Sequence, residues 1–334
     1  MVPMSKISRA LGVLVCLGAL LLGAACSPDR NGGGEPGQLT VVTSFYPLQF
    51  IAERIAGDHA NVENLTQPGT EPHDLELTPK QVGSLASADL VAYLSGFQAA
   101  VDDAITASGA EDSFDAASVV TLRRNDEGHE HDHEHSDEDH DEDGHDEAEH
   151  DEEGHDDHDH GEFDPHVWLD PTQMVAIAEE FAARMVALDP DHTDEYEANR
   201  DALVSELTDL DEEYGQGLAS CERKEFITSH TAFGYLADRY DLVQIGIAGL
   251  SPDTEPSPSR IAEIHEEAKE HQITTIFYET LTSPAVAESI AGDLGLTTDV
   301  LDPIEGITAE SRGTDYLSVM RSNLEALQTA NGCQ

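Results

Sequence analysis

Lysine is almost missing from this chain: there are four among 334 residues, and 16 basic side chains stand against 69 acidic ones, a formal charge of −53. So few cations cannot build a basic surface, which excludes nucleic acid and anionic lipid as partners held by one. Cations are the natural partners instead. Cysteine is also sparse, at four. No Gly-x-Ser-x-Gly elbow occurs, and an HExxH spacing appears only inside a low-complexity His/acid run, so the remaining sequence lacks these hydrolase signatures. The apolar run Leu11–Ala25 is too short for a membrane span.

What remains is enough to fold. At about 150 residues per domain the length allows two medium lobes with appendages, and 39% apolar content can fill a core in each. Histidine is abundant at 17, and ten of these lie in the 32 residues His129–His160 together with 18 Asp or Glu and no Lys or Arg. With those 18 acids set aside the other 302 residues still carry −35, so the acidity belongs to the whole chain and the histidine excess does not. An acidic, lysine-poor body of this kind resembles the surfaces of proteins that work in high salt. The His/acid run has almost no apolar residue with which to order itself, and residues 125–162 are expected to form a disordered loop. Its imidazoles, His129, His131, His133, His135, His140, His145, His150, His155, His158 and His160, alternate with carboxylates and make many weak, overlapping zinc sites that would gather metal. They are not a tight site, because a disordered chain must first give up its conformational freedom to wrap one ion.

The amino terminus reads as an address. Lys6 and Arg9 precede the apolar run, as in a signal peptide over residues 1–25. The run ends Leu22-Gly23-Ala24-Ala25-Cys26-Ser27, which resembles the lipobox of bacterial lipoproteins, with Gly23 where a large aliphatic residue is usual. Cys26 would then carry lipid, and residues 26–38, with Gly32-Gly33-Gly34 and Pro36, would be a flexible tether. Cys16 lies inside the leader, so Cys221 and Cys333 are the two thiols left in the body of an exported protein, and a disulfide between them is expected.

Along the body, strand-like and helix-like patterns alternate, which argues an α/β fold. Leu39–Ser44, Asn61–Leu65 and Leu90–Leu94 read as strands, with helical stretches at Leu48–Ala56 and Pro79–Ala88 and a closing apolar segment at Val119–Leu122. Two long helical patterns follow, Thr172–Leu188 and Asp191–Leu218, broken at Asp189-Pro190. Beyond Cys221 the alternation resumes with strands at Glu225–Thr228, Leu242–Ile247, Thr274–Tyr278 and Asp299–Leu301, and helices between and after them. The boundaries expected are a first lobe over 39–170, a helical spine over 171–219 and a second lobe over 220–334.

Three histidines outside the repetitive run sit in loops after strands: His73 in Gly69–Pro79, His166 in Asp164–Pro171, and His230 in Ile227–Tyr235. Glu305, in Leu301–Thr308, has a similar setting, and in open α/β sheets ligands gather beyond the carboxyl ends of strands. The four are 93, 64 and 75 residues apart, so only a fold could unite them. Any one loop histidine is ordinarily a surface residue. As a set, three imidazoles and a carboxylate suit a tetrahedral cation of borderline softness, whereas calcium or magnesium would want oxygen.

The stretches EPHDLELTP, DPHVWLDP, TSHTAFGYLADRY, TIFYET and LDPIEGIT occur in the order seen in the solute-binding lipoproteins of bacterial zinc and manganese ABC transporters, and the chain resembles the zinc branch over residues 39–334. The resemblance implies two similar Rossmann-like lobes joined by a long rigid helix, with metal in the cleft between them. It makes His73 and His166 the ligands from the first lobe, and His230 and Glu305 those from the second. Imidazole at position 230, where manganese and iron branches tend to carry a carboxylate, favours Zn²⁺ over Mn²⁺. Glu279 is placed beside the site, orienting an imidazole or competing with Glu305 as fourth ligand. Asp164, Asp170 and Asp302 flank the ligand loops, where orientation, capping and turn formation are equally open readings.

The expected function is capture of Zn²⁺ on the extracytoplasmic face of the cell membrane, periplasmic where an outer membrane exists, and delivery to an ABC permease with its cytoplasmic ATPase. The chain would be a lipid-anchored monomer and not an enzyme, since four protein ligands leave no open position for water. The alternatives are a manganese-binding relative, a surface metal buffer or adhesin, and, from another class, a zinc hydrolase using Glu279 or Glu305 as base. Affinity is expected to fall below about pH 6 as ligand imidazoles protonate.

Overall fold

The computed structural model describes residues 38–108, 112–124 and 163–334. The leader, Cys26, the tether to residue 37 and the accessory histidines His129–His160 lie outside them. The first half runs β1 (Leu39–Thr43), α1 (Tyr46–Ala56), β2 (Ala60–Asn64), α2 (Pro79–Ser87), β3 (Leu90–Tyr93), α3 (Ala99–Ser108) and β4 (Ser113–Asp115). Its strands pair in parallel in the order β2-β1-β3-β4. A two-residue antiparallel ribbon, β5 (Arg123–Arg124) with β6 (Phe163–Asp164), brackets the His/acid run in sequence.

Two helices follow, α4 (Pro171–Leu188) and α5 (Thr193–Gly217), folded back on each other across the short turn Pro190–His192. The second half runs β7 (Glu225–Thr228), α6 (Gly234–Arg239), β8 (Val243–Gly246), α7 (Pro258–Glu270), β9 (Thr275–Tyr278), α8 (Ala285–Leu294), β10 (Thr297–Val300) and α9 (Tyr316–Asn331). Its parallel order, β10-β9-β7-β8, repeats the first sheet's: counted within each half, both read 2-1-3-4. The order therefore reverses beside the first strand of each half, and the chain leaving β7 leads straight into His230.

Strand side chains alternate between two apolar layers, as a period of two requires. Val41 of β1, Leu90 and Ala92 of β3, Phe226 of β7 and Phe277 of β9 face one continuous core that also takes in α1, α4, α5 and α9. Their neighbours point the other way: Val42 and Val91 pack with Leu85 and Val101 outside the first sheet, and Ile227 and Ile276 with Ile264 and Ile290 outside the second. Both faces of each parallel sheet are thus covered. The helical pair is the shared middle layer. Three of the scarce arginines, Arg54 of α1, Arg239 of α6 and Arg321 of α9, each hold an α5 carboxylate, on Glu206, Asp211 and Glu213. Each exposed pair contributes at most about 1 kcal/mol, but together they anchor both halves to one helix.

Two elements have no counterpart in the sequence reading. The last strand of the first half, β4, lies before the closing apolar segment Val119–Leu122, and Ala116–Val119 is a 3₁₀ turn in which Asp115 accepts from the Ala117 amide. Helix α3 was not anticipated, because only Val101 of its ten residues is buried and no apolar stripe marks it. Cys221 and Cys333 are disulfide-bonded across 112 residues, tying the end of α9 to the segment entering β7.

Candidate metal centre

His73 comes from the loop between β2 and α2, His166 from the turn after β6, His230 from the loop after β7, and Glu305 from the loop after β10. The His73 loop has no regular structure, yet its ends are pinned. Thr78 and Gln81 form a capping box at the start of α2, and Gln81 Nε2 also donates to the Leu65 carbonyl (2.8 Å). His166 is followed by a 3₁₀ turn, Val167–Leu169, whose exit residue Asp170 caps α4 through the Thr172 amide (2.8 Å). The Glu305 loop is held to the first half by Trp168, whose indole donates to the Pro303 carbonyl (2.7 Å) while Tyr316 donates to the Trp168 carbonyl (2.6 Å). Ile304, just before Glu305, has φ +60° although it is β-branched and fully buried, a costly conformation that its packing and the Asp302 acceptor on its amide (2.8 Å) sustain.

These loops bring the four candidate ligands together. The Nε2 atoms of His166, His73 and His230 lie 3.3, 3.4 and 3.5 Å from a single oxygen, Glu305 Oε1. One donor atom from each of the four falls within 4.8 Å of all the others. The spacing is long for a charge-assisted hydrogen bond, whose usual length is about 2.7–2.9 Å. It matches the edge of a tetrahedron: metal–ligand bonds of about 2.0–2.1 Å put neighbouring donors about 3.3–3.4 Å apart. His166 Nε2, His230 Nε2 and Glu305 Oε2 are buried with no hydrogen-bond partner, an arrangement that a cation at the common centre would relieve.

Behind the donors stand carboxylates. Asp164 accepts from His166 Nδ1 (2.8 Å) and from its backbone amide (3.0 Å). Glu279 accepts from His230 Nδ1 (3.0 Å), and Ser229 and Thr282 donate to it in turn (2.9 and 3.0 Å). Glu279 therefore meets His230 at the nitrogen opposite the one facing Glu305, and it is not among the four converging residues. Of the three flanking aspartates, Asp164 orients an imidazole and Asp170 caps a helix. Asp302 shapes a turn, accepting from Ile304, Thr280 and Ser311. Gly234 lets α6 approach this point: a Cβ there would lie 2.7 Å from Asp164 Oδ2.

Burial and charge pull the titrating groups apart. Burial would push the His166 and His230 rings toward neutrality, but Asp164 and Glu305 raise His166, and Glu279 and Glu305 raise His230 well above the ordinary histidine value. His73 goes the other way, lowered chiefly by burial. Burial alone would raise Glu305, yet the facing imidazoles hold its carboxyl well below the usual range. Glu71, two residues before His73, was not singled out in the sequence; burial and then Glu305 push its carboxyl up to about 9, while its Oε1 accepts from the His73 amide (3.2 Å). Phe97 and Trp168, whose rings pack on His73 and His166 at 4.8 and 5.1 Å, were likewise missed as neighbours of the site.

Residues 41–330 match the family model described as zinc-uptake complex component A, periplasmic. The chain is 38% identical over 336 residues to the zinc-binding lipoprotein AdcA of Streptococcus pneumoniae, covering 97% of this chain and 61% of that protein. It thus spans about three-fifths of the length of that relative. It is 37% identical over 327 residues to the high-affinity zinc uptake system protein ZnuA of Bacillus subtilis, covering 95% and 96% of the two chains. Among solved structures, the Zn(II)-bound ZnuA-like domain of Streptococcus pneumoniae AdcA superposes with a TM-score of 0.70 at 34% identity, over 88% of this chain and 99% of that one.

Proposed function

The chain belongs to the family of periplasmic A components of zinc-uptake complexes, and from that membership we propose that it captures Zn²⁺ outside the cytoplasm and hands it to an ABC-type import permease. The observation that carries this reading is the convergence of three imidazole nitrogens to within 3.3–3.5 Å of one Glu305 oxygen, a spacing suited to ligands that share one ion. His73, His166, His230 and Glu305 are the proposed ligands. Glu305 cancels one of the ion's two charges. Asp164 and Glu279 face the imidazoles across which the remaining charge spreads, and they fix the rings so that Nε2 points inward.

Members of this family and the relatives named above are substrate-binding components of transport systems, not enzymes. Four protein ligands close the coordination sphere, so a bound zinc ion would hold no water to activate, and a hydrolytic role is not proposed. The curated relatives are named for zinc, and the manganese alternative is not favoured. Anchoring through a lipidated Cys26, a monomeric state, and an ATPase driving the permease complete the proposal. The His/acid run is assigned weak metal gathering beside the tight centre. Deleting residues 129–160 tests this division of labour: zinc stoichiometry should fall while one tight site survives. Loss of the tight site with the run would refute it.

A further inference from the structure

His73 is the odd ligand of the four. Its side chain is 12% exposed against 0–1% for His166, His230 and Glu305, so solvent meets the centre on its side. His166 and His230 are each gripped at Nδ1 by a carboxylate; among the described residues the His73 ring pairs with no carboxylate but Glu305 itself. Something other than a partner on the ring must therefore hold it. Glu71 Oε1 accepts from its backbone amide (3.2 Å), the Phe97 ring meets the imidazole edge-on, and the next residue, Gln98, which is 2% exposed, reaches the Pro72 carbonyl just before it.

Gln98 Nε2 donates both to the Pro72 carbonyl (3.2 Å) and to Thr66 Oγ1 (3.0 Å). Thr66 Oγ1 spends its own proton on the Ser44 carbonyl (2.8 Å), so it can only accept from Gln98. Both neighbours of the amide thus require a donor, and flipping it would set oxygen against oxygen. This orientation leaves Gln98 Oε1 buried without a partner, an arrangement unfavourable to stability alone. The backbone of Gln98 is fixed as well, because its carbonyl accepts from the amides of Val101 and Asp102 in the first turn of α3 (2.9 and 3.1 Å).

We propose that Gln98 is a positioning residue for metal retention: its amide clamps the Pro72 carbonyl, holds the His73 loop against Ser44 and Thr66, and so sets how fast zinc leaves from the exposed side of the centre. The inference rests on zinc binding at His73, His166, His230 and Glu305. Its test loads the full chain with one equivalent of zinc and follows transfer to excess chromophoric chelator by stopped flow. Gln98→Leu, which keeps the bulk and removes the donors, is expected to speed release about tenfold to a hundredfold, with the association rate changed less than about threefold. Thr66→Val loosens the same clamp from its other end and should shift release in the same direction by less, which keeps the test open if the leucine variant fails to fold. A merely structural role would lower the unfolding midpoints of metal-free and zinc-loaded protein equally and leave the release rate unchanged, and that result overturns the proposal. Absence of a tight site in the unaltered protein would instead overturn the zinc reading beneath it.

Discussion

The centre should exchange protons for zinc well above the pH at which ordinary histidines titrate. Two of its imidazoles, His166 and His230, are raised above the usual histidine value by Asp164, Glu279 and Glu305, whereas His73 is lowered. Zinc must therefore displace protons from His166 and His230 but not from His73. Three unperturbed imidazoles would make affinity independent of pH above about 6.5. Two raised ones add a tenfold change each per pH unit, so affinity should fall up to about a hundredfold per unit, about 2.7 kcal/mol, once pH drops below their raised values. The loss thus begins higher than the pH 6 expected from unperturbed histidines. Stability of the metal-free fold runs in the opposite sense. A folded-state pKa above the unfolded value contributes stability that is complete below about pH 6.5 and is lost as pH rises through the raised values. Chelator competition from pH 6 to 9 measures the affinity, and calorimetry in buffers of different ionisation enthalpy counts the released protons. A flat affinity above pH 6.5 with no proton release would refute the reasoning.

Changing His230 to Ala removes one of four ligands and strands Glu279 in the interior, and it should weaken the tight site by orders of magnitude; unchanged affinity by competition would remove His230 from the set. Replacing Cys221 and Cys333 with serine frees a closed loop of 112 residues, and the chain-entropy relation puts the loss near 4.8 kcal/mol, about what denaturant unfolding should record. A charge of −35 outside the His/acid run should make the fold repel itself when unscreened. Its melting temperature should rise between about 0.1 and 2 M KCl, and a flat or falling trend would count against adaptation to salt.

Much of this molecule is legible because buried parallel strands are written as apolar runs. Val41-Val42, Leu90-Val91-Ala92 and Phe226-Ile227 announce strands covered on both faces, and alternate members of each do enter different layers. The same rule explains what was missed. β4 is Ser-Phe-Asp with one buried side chain, and α3 buries only Val101, so neither leaves a periodic trace. At the centre, the histidines stood out through their place after strands, but their meeting with Glu305 depended on contacts between residues 75 to 232 positions apart, which no local pattern encodes. Glu71 and Gln98 were invisible for a different reason. Both are ordinary loop residues in sequence, and what distinguishes them is burial imposed by distant packing.

The central claim is that one zinc ion sits among His73, His166, His230 and Glu305. The most direct measurement is anomalous diffraction at the zinc edge from zinc-loaded crystals of the protein lacking residues 129–160. A single strong peak about 2.0–2.1 Å from the three Nε2 atoms and a Glu305 oxygen is the predicted result. A principal peak elsewhere, or one coordinated by Glu279 in place of Glu305, would contradict it.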